Sequence, residues 1–213
     1  TGRFYLSPVQ MLRKLMDPEI CLGKVEMELR AQIEKVLNAG IEVTHLDGHK
    51  HVHLIPQFLQ IALRLAQEYK IPAIRCAREG TTRLLRLAGR NWRSSPTVLK
   101  QYFTGKAISI LANTMKARIE SAGLKAPDYL LGITSTGFLD SHHLINLIAR
   151  LPDGTSELVC HPGYVDKQLM ESPTRLLQQR ETEITALVSP EVKEWLNRRG
   201  AQLVNYRNLC GGA

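Results

Sequence analysis

Four of the seven histidines lie within nine consecutive residues, which makes this segment the densest group of metal-ligand side chains in the chain. They are His45, His49, His51 and His53. Imidazole is a common ligand for divalent transition metals, and a short loop can direct several rings at one point without the entropy cost of ordering a long loop. An extended segment would place His49, His51 and His53 on one face, whereas a helical one would place His49 and His53 together. The spacing therefore permits a metal site in either conformation.

Asp47 lies between the first two of these histidines. Its carboxylate could bind a metal directly, or it could orient a ligating imidazole by accepting the second ring proton. The alternative is that the histidines make ordinary hydrogen bonds in a turn. A zinc module of the nucleic-acid-binding type is disfavoured, because no cysteine lies nearby.

His161 is a separate candidate, because it follows a strand-like run and begins a His-Pro-Gly turn. A histidine there could act as a general acid or base, since its ordinary pKa is close to physiological pH. The alternative is a histidine that is hydrogen-bonded into the turn. His142 and His143 follow Asp140-Ser141 and are expected at the start of a helix rather than at a metal.

These candidates need regular elements to hold them, and the hydrophobic periodicity predicts alternating helices and strands. The predicted helices are 24–39, 57–69, 141–150, 173–187 and 190–199, and the predicted strands are 41–46, 71–76, 156–160 and 201–206. Such alternation predicts an α/β fold with a mainly parallel sheet, either open or closed into a barrel. In both forms functional side chains lie at the C-terminal ends of strands, where the histidine cluster and His161 are expected.

The composition is typical of a globular protein. The chain has 213 residues, of which 44% are hydrophobic and 23% charged, and we predict a single domain spanning 1–213. No apolar run approaches the roughly 20 residues of a membrane-spanning helix. The four cysteines, Cys21, Cys76, Cys160 and Cys210, show no C-x-x-C spacing, so we expect free thiols and a cytoplasmic location.

The net charge of +8 is concentrated in one region. Between Arg75 and Arg118 there are ten basic residues and one acid, and we interpret residues 78–118 as a basic insertion. One hypothesis is that residues 84–118, which also carry aromatic side chains, make a peripheral contact with an anionic inner membrane; the other is a solvated insertion. The same charge makes an anionic-surface or nucleic-acid binding module the alternative function, although nucleic acid is not the partner we expect.

Several segments match one family in combination. They are Thr44–His53, Ile71–Arg75, Glu157–Tyr164 with Asp166, Arg180–Glu183 and Leu203–Tyr206. Together they resemble the YdjC-like carbohydrate deacetylases, which include chitooligosaccharide deacetylase, and within that family the hopanoid-biosynthesis-associated branch. The resemblance implies a distorted TIM-like (β/α) barrel. It also implies metal-dependent hydrolysis of the N-acetyl group of an amino sugar, carried by an oligosaccharide or a glycolipid.

The resemblance also implies roles for individual residues. His49 matches the metal-binding histidine, Asp47 the aspartate two positions before it, and His161 the catalytic histidine. His53 and Arg75 match positions that line the sugar pocket. The implied cofactor is a divalent metal ion, Mg or Zn, which would activate water, while an imidazolium could protonate the departing amine. The catalytic residues expected here are thus His161 and Asp47.

One departure from the family pattern concerns its acidic ligands. The family opens with a strand that carries an Asp-Asp pair, and a later Gly-x-His adds a ligand, but neither motif occurs here. Catalytic metal sites commonly need three protein ligands. We therefore expect the first strands of the barrel to be absent from this chain, which would make it a catalytically inactive form of a hydrolase. An open barrel would also expose strand edges, so a homodimer is expected.

Overall fold

The computed structural model describes residues 22–76, 114–133 and 135–211. They fall into two compact units, the first of which combines 22–76, 114–126 and 206–211, and the second 127–205. Most of the predicted basic insertion, 78–118, lies outside the described residues. Its last residues, 114–118, begin a helical stretch that continues to residue 121.

Two long helices dominate the first unit. Helix α1, Leu22–Asn38, ends where Gly40 adopts a φ of +74°, as the sequence predicts. Helix α2, Pro56–Glu68, begins with proline in its first turn and buries one face through residues such as Phe58, Leu59 and Leu65. Ion pairs from Arg30 to Glu68 and from Arg64 to Glu26 connect the two helices at the surface. The periodic pattern of apolar residues therefore predicted both helices correctly.

The strand-like segments of the first unit pair over single residues. Leu46 bridges Ile74, and Ala73 bridges Lys125, both in parallel. The backbone N–H of Leu46 donates to the carbonyl of Ala73, and the N–H of Arg75 donates to the carbonyl of Leu46. The predicted strands 41–46 and 71–76 thus run parallel and adjacent, although their regular pairing is short.

Both of the regular strands found in residues 22–76, 114–133 and 135–211 lie in the second unit. Strand β1, Tyr129–Leu131, pairs in parallel with β2, Ser156–Leu158, with Leu131 opposite Leu158. Helix α3, Ser141–Ile148, is capped by Asp140, whose side chain accepts the N–H of His143. This confirms that His142 and His143 lie at a helix start.

Four further helices follow in the chain. They are α4 (Lys167–Glu171), α5 (Gln178–Leu187), α6 (Pro190–Arg199) and, in the first unit, α7 (Tyr206–Leu209). The core of the second unit lies between α3, α5 and α6 and consists of Leu139, Leu144, Leu147, Ile148, Ala186 and Val192. This core supports α5, the helix whose Glu183 accepts the backbone N–H of His161.

Two sequence predictions differ from the structure. The helix predicted over 173–187 begins only at Gln178, and the strand predicted over 201–206 is wrong. Leu203 and Val204 are 82% and 52% exposed, and the apolar residues that suggested a strand pair with no strand among the described residues. Tyr206 instead begins α7.

The described strands form one two-stranded parallel sheet and two isolated parallel bridges. The predicted α/β class with parallel pairing is confirmed, whereas a closed TIM-like barrel is not seen in the described residues. Of the described helices, none has the length and apolar character required to cross a membrane.

Candidate functional site

The register of the bridged segments places two candidate residues side by side. Leu46 is paired with Ile74, so the residues that follow them, Asp47 and Arg75, are neighbours at the C-terminal ends of parallel segments. Their side chains form an ion pair through Arg75 Nη1 and Asp47 Oδ2. Both remain partly exposed, at 33% for Asp47 and 20% for Arg75.

His53 is held by the backbone of the same site. Its ring is 7% exposed, Nδ1 accepts the N–H of Gly48 at 2.8 Å, and Nε2 lies 2.8 Å from the carbonyl oxygen of Arg75. These partners require a proton on Nε2 and none on Nδ1, which is the neutral imidazole. Burial lowers the pKa of His53, in agreement with this state. The ring therefore ties the Gly48 turn to the segment that carries Arg75.

The loop between Gly48 and Leu54 is a kinked 3-10 helix, His49–Leu54, rather than an extended or α-helical segment. Lys50 and His51 adopt φ values of 51° and 59°. Gly48 is required by close approach, because a Cβ there would lie 2.7 Å from His53 Nδ1. The segment is thus neither extended nor a regular α-helix, the two conformations considered from the sequence.

The four clustered histidines consequently occupy different surroundings. His49 is exposed, and the rings of His51 and His53 are 6.3 Å apart and tilted by 56°. His45 stacks on Tyr206 of α7, with ring centroids 3.8 Å apart and an interplanar angle of 3°. The sequence pattern gave no indication of this stacking, because 160 residues separate the two rings and Tyr206 was expected in a strand.

The described residues do not fit a complete metal centre. Among residues 22–76, 114–133 and 135–211, no three His, Cys, Asp or Glu side chains are gathered closely enough to hold an ion. His49 is the exposed imidazole of the loop, and the Asp47 carboxylate is occupied by Arg75. Three protein ligands, the usual number for a catalytic site, are not assembled here.

A cavity of about 590 Å³ lies within the first unit and is a typical size for a small-ligand pocket. Its walls are mainly apolar and come from α1, α2 and residues 42–48. Asp47, Gly48 and His53 also line it and supply polar groups. The ion pair and the buried imidazole therefore lie beside a space that could receive part of a ligand.

His161 belongs to the second unit and follows β2. The N–H of Val159 donates to the carbonyl of Leu131 at 2.8 Å, which extends the sheet pairing to within two residues of His161. The His161 backbone N–H donates to Glu183 of α5. Its ring is half-buried, and its Nδ1 has no hydrogen-bond partner among the described residues.

The surroundings of His161 favour a neutral ring. Burial lowers its pKa, the negative charge of Glu183 opposes this effect, and the positive charges of Arg180 and Arg175 add to it. A neutral imidazole is the form that can accept a proton from water.

Helix α5 holds the His161 loop at several points. Glu181 accepts the N–H of Val165 at 2.9 Å, and Arg180 Nη1 donates to the carbonyl of His161 at 3.4 Å. The segment Arg180–Glu183 was part of the family resemblance, but its connection to His161 spans about 20 residues and was not predicted. The feature of the sequence that could have indicated this contact is the charged segment Arg180–Glu183, which lies on a helix without a continuous apolar face.

The chain is similar to known proteins over the segments that carry the histidine cluster and His161. The model of the family described as YdjC-like protein matches residues 1–198. This chain belongs to the YdjC-like family. The predicted resemblance is therefore confirmed over the segments that carry the histidine loop and His161.

Individual relatives agree with the family assignment. A carbohydrate deacetylase of Geobacillus stearothermophilus is 34% identical over 189 residues, which cover 88% of this chain and 60% of that protein. A carbohydrate deacetylase of Clostridium beijerinckii is 25% identical over 91% of this chain and 64% of its own length. The chain thus spans a little over 60% of the length of these curated relatives.

A solved structure also resembles this member of the YdjC-like family. It is a candidate cellobiose-phosphate cleavage protein from Enterococcus faecalis V583, with a TM-score of 0.59 and 26% identity over 90% of this chain and 62% of that one. The similarity extends to the fold as well as to the sequence. The roles of Asp47, His49, His53, Arg75 and His161 stay predictions at this point.

Proposed function

We propose that this chain is the part of a YdjC-like carbohydrate deacetylase that carries its catalytic histidine and its histidine loop. The reaction is hydrolysis of the N-acetyl group of an amino sugar in an oligosaccharide or a glycolipid. The names of the relatives and the family match support the reaction class. The observation that carries the proposal is the position of His161, on a loop that follows a parallel strand, with a half-buried ring of lowered pKa.

His161 supplies proton transfer in this proposal. Its neutral imidazole accepts a proton from the attacking water, whose oxygen forms a bond to the acetyl carbon. The C–N bond then breaks, the imidazolium donates the proton to the departing amine, and acetate leaves. A positioned acid or base of this kind contributes about 100-fold to 10,000-fold to a rate.

Arg75 provides a sugar contact in the proposal, and Asp47, the second predicted catalytic residue, lies paired with it. A carboxylate and a guanidinium held side by side offer both acceptors and donors to sugar hydroxyl groups. His53 lines the same pocket, but both of its ring nitrogens are already bound to backbone groups. Its contribution is to hold the shape of the pocket.

A divalent metal ion, Mg or Zn, belongs to the proposal as an implication of family resemblance. His49 is the described residue that we expect to bind it, and the remaining ligands would have to come from outside the described residues. When bound, such an ion would lower the pKa of the attacking water, and His161 would carry its proton. Five further features remain predictions. They are the closed barrel, the hopanoid branch, the homodimer, the cytoplasmic location and the membrane contact of residues 84–118.

The test is acetate release from an N-acetylglucosamine oligosaccharide by the complete gene product that contains this chain. The substitution His161→Ala is expected to lower kcat by at least about 100-fold, because general acid–base catalysis is lost. His142→Ala is the matched control, since His142 is an exposed histidine at the start of α3 in the same unit. Equal rates for the two variants would contradict the role of His161.

A further inference from the structure

Glu183 has an unusual environment for a carboxylate. It is 1% exposed, and the only other buried residue of α5 is Ala186. An ionised carboxylate is rarely fully buried without a specific partner, because it loses its hydration. The burial of this side chain therefore requires an explanation.

The hydrogen bond to His161 supplies that partner. Glu183 Oε2 accepts the backbone N–H of His161, the residue that the proposed function makes the proton carrier. Hydrogen bonds from N–H groups to a carboxylate are stronger than those between neutral groups. The contact joins a buried point of α5 directly to the main chain of the candidate catalytic residue.

The other contacts between α5 and this loop are less protected from water. Glu181, which accepts the N–H of Val165, is exposed, and Arg180 is half-buried with a long bond of 3.4 Å to the His161 carbonyl. Bonds at exposed positions compete with water and constrain the loop less. Glu183 is the most buried of the three attachment points.

Glu183 also acts on the ring through its charge. Among the charged groups that affect His161, it is the one that favours the protonated ring, whereas Arg180 and Arg175 disfavour it. A proton carrier must accept and then release its proton, so the balance of these charges sets the pH at which it operates.

We propose that Glu183 is a positioning residue, whose buried carboxylate fixes the backbone of His161 and balances the arginine charges beside its ring. The proposal rests on the proposed function in that it assigns the positioned ring to deacetylation. It extends that function to a residue that acts through the main chain of His161.

The test is the substitution Glu183→Gln in the complete gene product, with Glu191→Gln on α6 as a matched control. Glu191 is exposed, so its change removes the same charge from the neighbouring helix. The pKa of His161 is measured by NMR of its imidazole. We expect this pKa to be lower in Glu183→Gln than in the parent protein. The acidic limb of the kcat profile should move to lower pH, and kcat should fall at least tenfold while KM changes less than threefold.

Two further outcomes keep the test decisive. If Glu183→Gln does not fold, Glu183→Asp retains the charge on a shorter side chain, and kcat should fall while the His161 pKa stays closer to that of the parent. An unchanged His161 pKa and an unchanged kcat in a folded Glu183→Gln protein would overturn the proposal. A lowered His161 pKa in a protein without deacetylase activity would uphold the coupling to Glu183 and refute the proposed function instead.

Discussion

At the scale of single residues, the His53 ring is engaged by two backbone groups, while its neighbours in the same cluster face other surroundings. Gly48 donates to Nδ1 and the Arg75 carbonyl accepts from Nε2, so both nitrogens serve the loop. A protonated His53 could not accept the Gly48 N–H. Protonation must therefore oppose the folded state of this loop.

The stability of the folded protein is therefore expected to depend on pH. The pKa of His53 is lower in the folded protein than the ordinary value near 6.5, so its stabilising contribution is present above about pH 6.5. This contribution is lost as the pH falls from about 6.5 toward the pKa of His53 in the folded state. Each tenfold difference in proton affinity between the folded and unfolded states corresponds to about 1.4 kcal/mol of stability. His143 and His161 contribute in the same direction, because burial also lowers their pKa values.

Urea unfolding between pH 7.5 and pH 5 measures this effect. The free energy of unfolding should decrease over the acidic part of the range, and His53→Gln should make the decrease smaller, because glutamine does not titrate. His142→Gln, at an exposed position, should leave the parent pH dependence in place. A parent protein that is equally stable at both ends of the range would contradict the neutral, backbone-bound state of His53.

At the scale of elements, the end of β1 controls the path of the chain toward His161. Gly132 follows β1 directly and has a φ of +97°. A Cβ at this position would overlap with the carbonyl oxygen of Val159, which lies two residues before His161. The conformation and the close approach both require glycine there.

Gly132→Ala is therefore expected to lower the free energy of unfolding by about 2–3 kcal/mol, since it combines a disfavoured φ with an overlap against backbone. Gly200→Ala is the matched control, because Gly200 has a φ of +66° but nothing within 4 Å of its added Cβ. It should cost about 1 kcal/mol. Urea unfolding compares them, and an equal cost would mean that β1 and the Val159 backbone are not closely packed.

The elements also show how far the sequence could predict the structure. Helices α1, α2, α3 and α6 followed from apolar periodicity and local signals such as Gly40 and Asp140, because these depend on neighbouring residues. The strand expected over 201–206 failed, since alternation of apolar residues does not reveal whether a partner strand is available. Pairing is a property of distant parts of the chain.

The site was predictable to a similar degree. The composition of the histidine cluster indicated a functional loop, but the left-handed backbone at Lys50 and His51 was not visible in the residue spacing. The contact between Glu183 and His161 and the stacking of Tyr206 on His45 are long-range and left no pattern in the local sequence. The sequence therefore indicated which side chains could do chemistry, but it did not indicate which of them contact each other in the folded chain.

At the scale of the whole molecule, family membership and the geometry of two loops point to one reaction class. The chain belongs to the YdjC-like family and spans a little over 60% of the length of relatives named carbohydrate deacetylases. The first unit presents an ion pair and a buried imidazole beside a cavity, and the second presents His161 on a loop held by α5.

The measurement that tests this most directly is product analysis with an N-acetylglucosamine oligosaccharide. The complete gene product should be incubated with it, with and without added Mg or Zn, and assayed for acetate, free amine and new reducing ends. Deacetylation predicts acetate and free amine in equal amounts and no new reducing ends. New reducing ends without acetate, or no product under any of these conditions, would contradict it.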